Sequence, residues 1–366
     1  MSQVTDTRTL TTITARKAIE RCFGKKRPVF LWGPPGIGKS EVVAQIAEDV
    51  GGLMIDLRLA QMEPTDLRGI PYYNKELNKM DWAAPVDLPD EETAAQYPVV
   101  VLFLDEMNSA PASLQAAAYQ LVLNRRIGKY KWPDNVVVVA AGNRESDKGV
   151  TYRMPAPLAN RFVHVEIRPD HEAWEIWAHA NRIHKDIVGY LGFAKQDLYD
   201  FDPRSSSRAF ATPRSWSFVN ELLDDDLTES ELLDLVSGTV GEGTAIKFMA
   251  HRKVSGQLPR PEEVLDGKVT ELKCKEVSAQ YSMVVSLCYE LEDRLVKNEN
   301  KPDAKWHEAA DRFFGFMMAN FTTELNVMGA RQALVNHKLP LVPGKLKKFD
   351  EFHKKYGKYV VKAAGK

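Results

Sequence analysis

The stretch Val29-Phe30-Leu31-Trp32-Gly33-Pro34-Pro35-Gly36-Ile37-Gly38-Lys39-Ser40 decides the fold. Its four leading apolar residues read as a buried strand. Gly33 to Ser40 then matches G-x-x-x-x-G-K-[ST] in the required context, after a strand and opening a helix. The glycines let the backbone curl so that successive N–H groups point at phosphate oxygens, and the helix N-terminus adds partial positive charge. Lys39 is placed to reach the β- and γ-phosphates of a nucleotide, and Ser40 to ligate Mg2+. Pro34, Pro35 and Ile37 complete the binding loop.

Outward from this loop, apolar strands alternate with helical stretches, the pattern of a mostly parallel sheet covered by helices. The spacing predicts helices over Thr14–Phe23, closed by Gly24, and over Ser40–Val50, stopped by Gly51. Leu53–Leu59 reads as a second strand, and Val99–Leu104 and Val136–Ala141 as central strands buried on both faces. After about Arg168 the strands stop. Helices are predicted over His171–Arg182, Pro213–Leu223, Ser230–Val240, Val269–Val296 and Lys305–Phe321, with Pro259-Arg260-Pro261 as a break. Cys274 and Cys288 fall on one face of the fourth, as core residues. The expected architecture is an αβα core over 1–168, helical lid and C-terminal helices over 169–343, and a basic tail over 344–366, with eight lysines against Asp350 and Glu351.

Composition fits this picture. The 366 residues are 44% hydrophobic and 27% charged, and 49 Lys+Arg against 50 Asp+Glu leave no global basic field to advertise a nucleic acid. Three scattered cysteines exclude a disulfide framework and a thiolate zinc site. The N-terminus has no signal-peptide pattern, and no window approaches the ~20 apolar residues of a membrane helix. A cytoplasmic protein without membrane contact is expected.

A second signal lies at Val101-Leu102-Phe103-Leu104-Asp105-Glu106, where two acids end a buried strand. Such a pair is costly unless something cationic faces it. Asp105 is the residue to hold the Mg2+ shell. Glu106, one residue on, is placed to orient and polarise an attacking water.

Together these residues resemble the AAA+ ATPases, the P-loop NTPase fold with a helical lid. The order of segments continues the resemblance. Val136-Val137-Val138-Val139-Ala140-Ala141-Gly142-Asn143 is similar to the sensor-1 strand with its polar terminal residue. Leu158-Ala159-Asn160-Arg161-Phe162 is similar to the arginine-finger segment, and Thr212-Pro213-Arg214-Ser215-Trp216 to the start of the sensor-2 helix. The resemblance implies ATP with Mg2+ bound by Lys39, Ser40, Asp105, Glu106 and Asn143, with Arg161 supplied by a neighbouring subunit and Arg214 acting in cis or in trans. Arg153 is a second candidate for the finger. Arg144 and Arg168 are expected at the surface.

Between the second strand and the acid pair, Met62-Glu63-Pro64-Thr65-Asp66-Leu67-Arg68-Gly69-Ile70-Pro71 and the polar stretch to Asp81-Trp82 look like the hairpin of the helix-2-insert branch. The Asp66–Pro71 string and the Thr212-Pro213-Arg214 start look most like MoxR and the related CbbQ/NorQ activators. That resemblance implies a hexameric ring that remodels or activates a protein partner, often one with a von Willebrand A domain. A second hairpin is expected over Arg125–Asn135, turning at Pro133-Asp134-Asn135. Its Arg125, Arg126, Lys129 and Lys131 beside Tyr130 and Trp132 leave a DNA-acting motor as the alternative. A slow nucleotide-dependent switch is a third reading, opposed by the intact Glu106. Asn78-Lys79-Met80-Asp81 matches the guanine-reading string N-K-x-D, but precedes the acid pair and reads as hairpin residues.

Overall fold

Two features of the sequence build the first half of the chain: runs of apolar residues too short for helices, and turns rich in glycine between them. The computed structural model describes residues 8–127, 130–147, 152, 154–223 and 226–364. Ten strands lie among them: β1 (Thr9–Leu10), β2 (Val29–Trp32), β3 (Leu53–Arg58), β4 (Ile70–Asn74), β5 (Lys79–Ala83), β6 (Val100–Asp105), β7 (Arg126–Ile127), β8 (Tyr130–Lys131), β9 (Val136–Gly142) and β10 (Val163–Ile167). Six of them form one sheet in the order β1-β10-β2-β9-β6-β3. Every pairing in it is parallel.

Parallel neighbours need crossover connections, and here helices supply them. Thr12–Phe23 is capped by Thr11, whose hydroxyl accepts from the Thr14 N–H. Lys39–Asp49 and Ala112–Asn124 follow β2 and β6. All seven residues of β9 and the first five of β6 are buried, as continuous apolar runs require when both faces are covered. The register sets Trp32 beside Gly142 and Leu104 beside Ala140, so β2, β9 and β6 end at nearly one level. Such carboxyl ends are where open α/β sheets bind ligands.

The hairpin expected after the second strand is present. β4 and β5 pair antiparallel, with Asn78 in the left-handed region at their turn (φ 50°) and Lys79 to Asp81 within β5. The second hairpin differs from expectation. β7 pairs with β8, and Pro133-Asp134-Asn135 falls after β8, on the way to β9, rather than at the hairpin's turn. Gly128 and Lys129, between β7 and β8, lie outside the described residues.

The chain divides after Asp170 into two compact units. The second, from His171, contains helices and no strand among its described residues. Here the sequence reading needs correction in two places. The predicted helix from Val269 begins only at Val277 and runs to Lys297. Val269 and Leu272 mimic helical spacing, but the segment forms no helix. Asn320 accepts from the Leu272 N–H at 2.8 Å and donates to the Thr270 carbonyl at 3.0 Å. Cys274 is therefore off the helix and half-buried, whereas Cys288 is buried.

The stretch expected as a basic tail contains the helix Lys347–Ala364. Leu346, Phe349, Phe352 and Tyr356 are buried in the core formed with Phe313, Phe314 and Met317. Spacing of three and four residues puts these apolar groups on one stripe and leaves Lys347, Lys354, Lys355 and Lys358 exposed. No described helix is long and apolar enough to cross a membrane.

Candidate nucleotide site

The glycine-rich turn after β2 has the geometry its sequence asks for. Gly36 (φ 74°) and Gly38 (φ 88°) occupy the left-handed region, and Gly38 is the N-cap of the helix Lys39–Asp49 without any side-chain cap bond. A Cβ on Gly33 would stand 2.6 Å from Ile37 Cδ1 and 2.9 Å from the Ile167 carbonyl oxygen, so only glycine fits there. Ile37 is buried and anchors the loop. The turn is thus a cradle of backbone N–H groups leading into a helix N-terminus, which suits a phosphate chain.

Lys39 lies across this cradle. Its ammonium donates to the carbonyls of Gly33 (2.9 Å) and Pro34 (3.1 Å) and to Asn143 Oδ1 at 3.0 Å. Asn143 follows the last residue of β9, so the sequence-predicted phosphate lysine and polar sensor meet directly.

β6 delivers the acid pair beside them. Asp105 is its last residue, half-buried, and its Oδ1 accepts from the Glu106 N–H at 2.9 Å. Glu106 adopts φ 54°, ψ 31°. A non-glycine residue in that region costs on the order of 1–3 kcal/mol and persists where the surroundings over-determine it. Glu106 opens the short turn Met107–Ser109, and its carbonyl accepts from the Ser109 N–H. Asp56 on β3 was not anticipated. Partial burial, and the Asp105 carboxylate after it, push its carboxyl upward, against the lowering effect of Arg58. Its neighbour relation comes from strand pairing, which no local string reveals.

Asn108 is a further residue that sequence reading passed over. It is buried, its Nδ2 donates to the Asn143 carbonyl at 2.7 Å, and its own carbonyl accepts from the Tyr152 N–H. A Cβ on Gly142 would come within 2.2 Å of Asn108 Oδ1. Gly142 and Asn108 are therefore a matched pair, linking the turn after the acids to the end of β9.

The arginines separate by environment. Arg161 follows the short helix Ala156–Ala159, is exposed, and has no ion pair among the described residues. The neighbouring Phe162 is buried against Phe30. Arg153 lies outside the described residues. Arg144, expected at the surface, is half-buried and bonded to Asp147 at 2.9 Å, with Glu166 at 3.5 Å, so it is a structural ion pair. Arg168 is exposed as expected, beside Asp170. Arg214, in the second unit, stands exposed in the first turn of the helix Pro213–Leu222, which Thr212 and Ser215 cap reciprocally.

The aromatic and basic residues of the two hairpins also separate. On β4–β5, Ile70, Tyr72, Tyr73, Met80 and Trp82 are exposed. Trp132 is 2% exposed and packs in the core of the sheet domain, so it is no gripping residue. Arg125 is likewise turned inward. It donates to the carbonyls of Pro133 and Val136 at 2.9 Å each, and burial pushes its guanidinium downward.

The residue types fit ATP and Mg2+. Hydroxyl and carboxylate oxygens at Ser40 and Asp105 are the hard donors Mg2+ takes when phosphate oxygens and water complete its shell. Among the described residues no larger group of His, Cys, Asp and Glu gathers as an alternative metal site.

A parallel sheet with a glycine-rich turn, a helix N-terminus, a lysine and two acids at its carboxyl edge defines a P-loop nucleotide-binding core. Residues 29–168 match the ATPase family associated with various cellular activities (AAA), so the chain carries an AAA ATPase domain. A stretch of 165 residues, 43% of this chain, is 28% identical to midasin of Giardia intestinalis and spans 3% of that protein. Among solved structures, an uncharacterised ATPase from Cytophaga hutchinsonii is 12% identical, covering 90% of this chain and 82% of that chain at a TM-score of 0.36. The RuvB Holliday junction branch migration motor of Thermotoga maritima is 12% identical, covering 84% of this chain and 86% of that chain at 0.35. At these TM-scores neither likeness bears on function.

Proposed function

We propose that this chain is a MoxR-like AAA+ ATPase: a Mg2+-dependent ATP hydrolase that assembles as a hexameric ring and remodels or activates a protein partner, of the kind that carries a von Willebrand A domain. The observation that carries the reading is the meeting of Lys39 with Asn143 beside Asp105 and Glu106. Four groups that ATP hydrolysis requires stand on three adjacent strand ends.

In this reading the loop Gly33–Ser40 binds the phosphates through its N–H groups, and Lys39 turns from the Gly33 and Pro34 carbonyls to the β- and γ-phosphates. Ser40 and Asp105 hold Mg2+, which neutralises charge on the phosphate oxygens. Glu106 orients the water, and Asn143 fixes its position relative to the γ-phosphate. Arg161 comes from the neighbouring subunit and meets the charge that develops in the transition state. Its exposure, and the lack of an ion pair to it among the described residues, support that role. Arg214 serves as the lid's sensor.

The exposed apolar side chains of β4–β5 support a protein client, since loops and hairpins on a rigid core are where binding residues concentrate. The DNA-acting alternative loses Arg125 and Trp132, both turned into the fold. The test is the mass of the nucleotide-bound assembly by light scattering alongside its ATPase rate. Six copies with Mg2+-dependent turnover are expected. A monomer that hydrolyses ATP at full rate at every concentration would overturn the ring reading.

A further inference from the structure

β10 starts two residues after Arg161, and one face of it reaches two other strands. Phe30 pairs with His164 and Trp32 with Glu166, and alternate residues of a strand share a face. On that face His164 Nδ1 lies 2.9 Å from Trp32 Nε1, and His164 Nε2 lies 2.8 Å from the Ala159 carbonyl oxygen. An indole N–H only donates and a carbonyl only accepts. The imidazole is therefore neutral with its proton on Nε2, and both ring nitrogens are in use. Glu166, two residues on, is buried beside Arg144, the residue after Asn143.

Both ends of the His164 chain are informative. Trp32 immediately precedes Gly33, whose carbonyl accepts from Lys39. Ala159 closes the helix that leads to Arg161, and a helix's last carbonyls have no partner within it. The Ala159 carbonyl accepts from the Phe162 N–H at 3.1 Å beyond the helix, and His164 adds a second, side-chain donor that ties the same oxygen to β10. An apolar side chain would fill the space among Phe30, Trp32 and Phe162 equally well, so packing alone does not call for two directed hydrogen bonds from one ring.

We propose that His164 is a positioning residue: through Trp32 and Ala159 it ties the root of the phosphate loop to the segment that presents Arg161. Nucleotide held in one subunit's loop thereby sets the reach of the arginine that the same subunit offers its neighbour. The inference rests on the reading of Arg161 as an arginine acting across a ring interface.

The test isolates the donor side. A minority of Arg161→Ala subunits, with their own Lys39, Asp105 and Glu106 intact, is mixed with an excess of Glu106→Gln subunits, which are hydrolytically dead but donate an intact arginine. Parallel mixes use Glu106→Gln donors that also carry Trp32→Phe or His164→Leu. Trp32→Phe keeps an aromatic ring in the stack and removes the N–H. Co-assembly and binding of a labelled ATP analogue are measured in each mix. Turnover is expected to recover with the plain donor and to fall about tenfold to a hundredfold below it with the other two, the range that a small misplacement of a catalytic group costs. The hydrolysing subunit is the same throughout, so its own stability does not enter. Equal recovery with all three donors overturns the inference and leaves the Arg161 reading standing. No recovery with the plain donor removes the Arg161 reading itself. Should His164→Leu not assemble, Trp32→Phe decides: a loss supports the inference, and full recovery overturns it.

Discussion

Lys39 and Asn143 are 104 residues apart in sequence, yet the Lys39 ammonium donates to Asn143 Oδ1 at 3.0 Å. The contact joins the residue that opens the phosphate helix to the residue that follows the central strand β9. It gives the lysine a defined place and makes the asparagine's chemistry testable without a partner.

Asn143→Asp replaces a neutral acceptor by a carboxylate and turns this contact, already charged on the lysine side, into an ion pair. The lysine is then held away from phosphate. Affinity for a labelled ATP analogue is expected to fall by about tenfold, an effect of about 1.4 kcal/mol. Asn143→Ala removes the restraint and should leave affinity nearly unchanged while lowering turnover. Equal affinities for the two variants would contradict the account.

Gly142 and Asn108 supply a second test. Gly142→Ala drives its methyl into Asn108 Oδ1, and the buried crowding should destabilise the fold by about 1–3 kcal/mol. Adding Asn108→Ala opens that space. The double variant should recover most of the thermal stability lost by Gly142→Ala, but not turnover, because the Asn143 carbonyl keeps no donor from Asn108. Additive losses in a double-mutant cycle would show that the two residues are not matched.

These cases mark where the sequence was readable. Gly33 to Ser40, Asp105 with Glu106, and the strand ending in Asn143 are local strings whose backbone and chemistry are set by their own residues. Asn108, Asp56 and His164 carry no such string, because their partners come from strand pairing and from turns far along the chain. Trp132 looks like a loop aromatic, yet it is buried in the core of the sheet domain. The lysines after Gly344 suggest a solvated tail, whereas Phe349, Phe352 and Tyr356 at helical spacing dock that segment. Gly189 and Gly192 hide the helix Lys185–Phe193, and Gly189 is needed because a Cβ there would meet Ser282 Oγ at 2.2 Å.

The helical unit should weaken in acid. His179 is buried, both its ring nitrogens lack a hydrogen-bond partner among the described residues, and burial with His337 nearby pushes its pKa down to about 3. Because the folded value lies below the unfolded one, the unfolded chain binds the proton first, and stability is lost as pH falls below about 6.5. At pH 5 the cost is on the order of 2 kcal/mol for this residue. His179→Leu should flatten the dependence of Tm on pH between 7 and 5. An unchanged slope would show that His179 is not neutral in the fold.

On the β4–β5 hairpin, Ile70 and Met80 are 66% and 62% exposed. Ile70→Thr with Met80→Thr should change stability by less than about 0.5 kcal/mol each, the usual range for surface positions. Basal ATPase should be unchanged, and stimulation by a protein client should be lost. A large drop in Tm would mean that these side chains pack within the protein instead.

The measurement closest to the central claim compares Glu106→Gln with Lys39→Ala in ATP binding and in single-turnover hydrolysis. Glu106→Gln leaves the cradle and Asp105 in place, so it should bind the nucleotide with wild-type affinity and lose at least about a hundredfold in hydrolysis, the lower range for a general base. Lys39→Ala should lose affinity itself. Wild-type hydrolysis by Glu106→Gln would contradict the account.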